Sequence, residues 1–113
     1  MPIHLLRERA TPQQVAEMLE ELGIYIKLAV DIGREIAAGG GELHADCERV
    51  LQEDGSQPED IWGADWYPNL NAVKFEALIN LWPRRKNPSM EILDPDIRAR
   101  VEKIVRALLE GVS

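Results

Sequence analysis

The sequence predicts an α+β fold, an antiparallel β-meander of about four to five strands with an N-terminal and a C-terminal helix packed on one face. Three observations predict it. Helical periodicity appears near each end of the chain, two-residue alternation fills the middle, and short turn-forming runs separate the alternating stretches. Near the N-terminus, Thr11, Pro12 and Gln14 fit a helix cap, a first-turn proline and the reciprocal partner of a capping box. Val15, Met18, Leu19 and Leu22 then recur at helical spacing, and Gly23 stands where a left-handed cap ends a helix. Near the C-terminus, Asp94 and Pro95 open a helix with an apolar stripe of Ile97, Val101, Ile104, Val105 and Leu108, ending at Gly111.

Between these helices, Ile24, Ile26, Leu28, Val30 and Ile32 alternate with Tyr25, Lys27, Ala29 and Asp31, as in a half-buried strand. The rival is one helix from Pro12 to Ala38, which would carry Gly23 and Gly33 inside it at about 1 kcal/mol each. On the strand reading Gly33 and Arg34 form a tight type II′ turn, and Gly39 to Gly41 bend the returning strand. Leu43, Ala45 and Cys47 alternate with Glu42, His44, Asp46 and Glu48, which predicts a further strand; the alternation lapses at Val50 and Leu51. Glu53 to Pro58 reads as a turn, Ile61 to Tyr67 as an aromatic strand, and Pro68 to Asn71 as the next turn. Val73 to Leu81 alternates cleanly, and Pro83 to Ser89 is a basic loop.

At 113 residues with 45% apolar composition the chain suits one folded domain over residues 1–113, and it is too apolar for a disordered segment. A lone cysteine, Cys47, gives no internal disulfide and suggests a cytoplasmic address. No run of apolar residues is long enough to span a bilayer, and no signal-peptide pattern opens the sequence. A formal charge of −7 argues against nucleic acid as a partner. Between Asp31 and Glu76, 11 acidic residues face 3 basic ones, so the middle is strongly anionic.

On a strand, His44, Asp46 and Glu48 would project together along about 13 Å of one sheet face. Imidazole and carboxylate are ligands that a divalent metal accepts, so His44 and Asp46 are the candidate metal pair, completed by Asp31, Asp65 or Glu76 from a neighbouring strand. The same residues equally fit the solvated side of an amphipathic strand, which needs no ligand. Cys47 falls on the apolar side and reads as a core residue. Trp62 and Trp66 share one face of their strand, either packing beneath a helix or forming, with Asp65, a binding surface. Arg84 and Arg85 lie in the only basic cluster, suited to a phosphate or carboxylate or simply to a solvated turn.

The segments Gly40-Gly41-Glu42-Leu43-His44-Ala45-Asp46, Glu59-Asp60-Ile61-Trp62-Gly63 and Asn80 through Ser89 resemble a family of short prokaryotic proteins of unknown function. The likeness spans nearly the whole chain. It implies an acidic residue where Gly33 stands, with the turn glycine two places later, and it implies a compact stand-alone domain. It implies no activity.

Two functional readings follow. One is a binding or interaction module, a candidate homodimer or the receptor of a protein partner, using the acidic sheet surface with Trp62 and Trp66. The other is a small metal-dependent hydrolase using His44, Asp46 and a cross-strand carboxylate, with Arg84 and Arg85 steering an anionic substrate.

Overall fold

The computed structural model describes residues 3–76 and 94–112. In chain order these form β1 (His4–Leu6), α1 (Pro12–Met18), β2 (Ile26–Asp31), β3 (Ile36–Gly39), α2 (His44–Glu53), β4 (Ile61–Tyr67), β5 (Ala72–Glu76) and α3 (Pro95–Leu109). Single 3₁₀ turns at Pro58–Asp60 and Pro68–Leu70 flank β4. No described helix is long and apolar enough to cross a membrane.

The five strands make one sheet in the order β1-β3-β2-β4-β5, and every pairing is antiparallel. The expected antiparallel sheet with terminal helices is present, but its order departs from a simple meander at two places. The chain steps over β3 on the way from β1 to β2 through α1, and over β2 on the way from β3 to β4 through α2. Both steps advance in the same direction across the sheet, yet they start from strands running in opposite senses. A common right-handed preference for such crossovers therefore sends α1 and α2 to opposite faces.

The cores lie accordingly. On one face Ile26, Leu28, Val30, Trp62, Ala64 and Trp66 pack beneath Val15 and Met18 of α1 and Val101, Val105 and Leu109 of α3. On the other, Ala29, Ile36, Ala38 and Ile61 meet Cys47 and Leu51 of α2. The terminal helices thus share one face, as the sequence suggests; the opposite face is not left to solvent, because α2 covers part of it.

That helix is the main correction to the sequence reading, which expects a strand over Glu42 to Glu48. The buried residues His44, Cys47 and Leu51 fall at helical intervals of three and four, and half-buried Val50 joins them. The five-residue alternation before them is too short to distinguish the two periods, and its lapse at Val50 and Leu51 is the helical period emerging.

The capping box at α1 forms as its residues suggest, with Thr11 Oγ1 accepting from Gln14 N at 3.1 Å and Gln14 Oε1 accepting from Thr11 N at 2.9 Å. Asp94 caps α3 by accepting from Asp96 N at 2.8 Å. The strand reading of Ile24 to Ile32 holds over the continuous-helix rival, trimmed to Ile26–Asp31. The turn after it is not type II′ at Gly33. Asp31 Oδ1 accepts from the backbone N–H of Gly33 at 2.9 Å and of Arg34 at 3.0 Å, and the left-handed residue is Glu35, with φ 60°. Gly33 serves space: a Cβ there would stand 2.9 Å from Asp60 Oδ2. The left-handed position is the one where the family resemblance puts its turn glycine.

Asp54, the residue that closes α2, accepts from Arg7 at 2.5 Å and from Arg34 at 2.7 Å, joining three loops. These arginine hydrogen bonds hold its carboxyl below the usual carboxylate range. The expected strand Val73 to Leu81 is seen as β5, Ala72–Glu76, and its remainder lies outside the described residues, as do Arg84, Arg85 and the basic loop.

Two stability outcomes follow. Glu35→Gly relieves a side chain held at positive φ, and chemical denaturation should show a gain of about 0.5–1 kcal/mol. Asp54, with a depressed folded-state value, contributes stability that is present above its unfolded value of about 3.8 and lost as pH falls through the lower folded one. Denaturation midpoints of wild type and Asp54→Asn should therefore differ at neutral pH and converge as pH drops below about 4.

Candidate functional site

His44 is the first residue of α2 and Asp65 lies in the middle of β4. Their side chains meet at 2.8 Å between His44 Nε2 and Asp65 Oδ1, with only 5% and 9% of the two side chains exposed. Leu43, the cap residue of α2, makes no side-chain capping bond, so the helix is anchored at this end by the imidazole rather than by its own cap.

Strand pairing builds the surroundings. Asp65 stands opposite Lys27 of β2 on one side and Lys74 of β5 on the other, and side chains at paired positions share a face. Neither lysine is in an ion pair among the described residues. Two positions along the same face, Tyr67 stacks on Tyr25 with centroids 4.9 Å apart and planes 7° from parallel. Lys74 Nζ lies 5.2 Å from the centre of the Tyr67 ring, within cation–π range. At this end of the sheet Ile24 is 63% exposed and Leu70 69% exposed, and with Tyr67 and Asn69 they line a shallow apolar depression.

The helix disperses the triad expected on a strand. At about 100° per residue, Glu48 stays on the side of His44 while Asp46 turns about 200° away, toward Gly41. Burial raises the Glu48 carboxyl above its ordinary value. Asp31 lies opposite Ile61, four positions along the sheet from Asp65, and its Oδ1 serves the turn. Among the described residues no three His, Cys, Asp or Glu side chains converge as a metal set. The side chain of Glu76 is outside the description, although its backbone pairs with Gly63.

Trp62 and Trp66 do not form an exposed surface. At 3% and 2% exposure they belong to the core under α1 and α3, on the face opposite His44, and the Arg106 guanidinium sits 5.7 Å over the Trp66 ring. The alternative of packing beneath a helix is the one realised. Lys27, Lys74, Tyr25 and Tyr67 are the site residues that sequence reasoning passes over. Each falls on the polar side of its alternating strand, but only the register shows that they surround Asp65.

Cys47, one turn after His44, directs its Sγ to the carbonyl of Lys27 at 3.6 Å. Burial pushes its thiol up to about 11 despite an opposing backbone hydrogen bond from Gly41. It is a neutral core group at neutral pH, as the sequence suggests. Alkylation of Cys47 by iodoacetamide at about pH 8 should run at least ~100-fold slower in the native protein than in the denatured chain, as followed by mass spectrometry.

The sequence model of a family described as Protein of unknown function (DUF5674) matches residues 4–108. No curated protein and no solved structure matches the chain.

Proposed function

The chain belongs to this family of proteins of unknown function, and we propose that it is a small binding module whose binding surface is the half of the sheet that α2 leaves uncovered. The observation that carries this reading is the exposed apolar rim of Ile24 and Leu70 beside the Tyr25–Tyr67 stack. Exposed aliphatic residues next to a stacked aromatic pair offer contact area already held in place, so little ordering cost remains on binding.

Charge selects the occupant. The surface presents Lys27 and Lys74, neither of them in an ion pair among the described residues, on a chain whose net charge is −7. A ligand that brings carboxylate to the lysines and an apolar group to the tyrosine rim satisfies both features, which favours an acidic segment of a partner. A second copy of this chain would set these lysines against like charges if the two faces met directly.

A peptide library displayed on phage and selected on the folded protein tests the reading. The enriched sequences should place Asp or Glu near an aromatic or leucine residue, and Lys74→Glu together with Leu70→Glu should weaken a selected peptide by at least about tenfold. Failure to enrich, a basic consensus, or undiminished binding to the double variant overturns it.

A further inference from the structure

Where the turn after β4 meets the end of α3, the two form the walls of a cleft of about 470 Å³. Small-molecule sites commonly have volumes of roughly 300–1,000 Å³. Arg106 of α3 joins the walls, donating to Asn71 Oδ1 at 3.0 Å and to the Asn71 carbonyl at 3.2 Å, and to Glu102 and Glu110 of its own helix at 2.8 and 2.7 Å. These bonds decide what the cleft still offers. A guanidinium only donates, so the Asn71 oxygen is committed to it and the Asn71 side chain presents its N–H donors. Glu110 commits Oε2 to the same arginine, and its Oε1 is left as an acceptor among the described residues. Asn69 makes no side-chain hydrogen bond among the described residues and presents a donor and an acceptor side by side. Trp66, Pro68 and Val112 supply the apolar part of the lining.

We infer that this cleft is a second site, beyond the binding surface proposed above, for an uncharged heterocycle that carries a donor beside an acceptor, of the nucleobase or nucleoside class. The Asn69 carboxamide meets such an edge through two hydrogen bonds, the pairing that asparagine makes with a base. A further acceptor on the ligand meets the Asn71 amide, a further donor meets Glu110, and the ring lies against the apolar lining. Charge separates the nucleoside from its phosphorylated form. No lysine or arginine is among the described residues lining the cleft, whose one charged group is the Glu110 carboxylate, and the chain as a whole carries −7. A phosphate there would find repulsion and no counter-charge.

The test is a ¹H–¹⁵N NMR titration of the full chain with adenosine, cytidine, uridine and inosine, and with their 5′-monophosphates. Trp62 is the internal control, because it is buried on the same face as Trp66 but lines no part of the cleft. At least one nucleoside should give saturable shifts at the Trp66 indole and at the Asn69 and Asn71 side-chain amides, with an apparent Kd below about 1 mM, while the Trp62 indole stays in place. Its monophosphate should bind at least about threefold more weakly. Asn71→Gly deletes the side-chain amide at a residue with φ 50°, a conformation glycine adopts freely, and should weaken the nucleoside at least about tenfold while the amide spectrum of the fold persists. Asn71 is changed rather than Asn69 because Asn69 also lines the depression beside Tyr67. No saturable shift with any of the nucleosides, equal shifts at Trp62, a monophosphate that binds as well as its nucleoside, or undiminished binding by Asn71→Gly overturns the inference, and each of these outcomes leaves the peptide selection on the other face to be judged by its own result.

Discussion

Both faces of β4 are packed where it crosses the middle of the sheet, so a carboxylate on that strand has to be compensated in place. Asp65 is 6% exposed and has no room for a hydration shell. Leaving such a charge unpaired costs several kcal/mol, and the imidazole of His44 is what meets it. That single contact ties the first residue of α2 to β4. With the end of the helix held there, Cys47 falls against β2 one turn later and Leu51 joins the core with Ile61 after the next. At its other end Asp54 gathers Arg7 and Arg34, so the helix is fixed by polar contacts at both ends and by a narrow apolar stripe between them.

The two faces of the sheet are filled to different extents, and the difference creates the candidate site. Two helices lie on the face that holds Trp62 and Trp66, where Val73 and Phe75 of β5 also pack. One helix lies on the other. An α-helix is about 10 Å across and strands are spaced by about 4.8 Å, so α2 lies over the middle of the sheet, against β2, β3 and β4, and leaves β5 largely uncovered. The residues beneath it are correspondingly small, Ala29 and Ala38 among them, which lets it sit close. Beyond its reach the same face turns to Tyr25, Lys27, Tyr67 and Lys74. The boundary between covered and uncovered sheet runs through Asp65.

The limits of what the residues disclose follow the range over which each signal acts. Caps act locally, and the Thr11–Gln14 box and the Asp94 cap are where their residue types put them. Aromatic density between two turn signals is equally robust: Ile61 to Tyr67 is a strand with the bounds its composition suggests. The stretch from Leu43 to Cys47 is different, because apolar residues at alternate places over five positions fit either period, and the deciding residues are those that follow. The turn at Gly33 misleads for another reason. A glycine answers either a need for positive φ or a need for space, and here the second applies, since Asp60 fills the volume a side chain would take. Pairing register is the least legible quantity. Asp65 is visible as a candidate in the sequence, but that Lys27 and Lys74 flank it depends on contacts 38 and 9 positions apart in the chain.

The acids of this protein can be sorted by what they hold. Asp31 is almost fully buried, and its Oδ1 accepts from the turn amides of Gly33 and Arg34 that it caps. Asp54 is held in the range of arginines that lock three loops together. Among the described residues Asp65 caps no backbone group and joins no loop; its partner is a side chain, and replacing His44 alone by an apolar residue of similar volume would leave a buried carboxylate uncompensated at a cost of several kcal/mol. What the His44–Asp65 contact supplies, and an apolar pair would not, is direction: a 2.8 Å hydrogen bond between fixed atoms that ties the first residue of α2 to one position of β4 and so sets where along the sheet the helix begins.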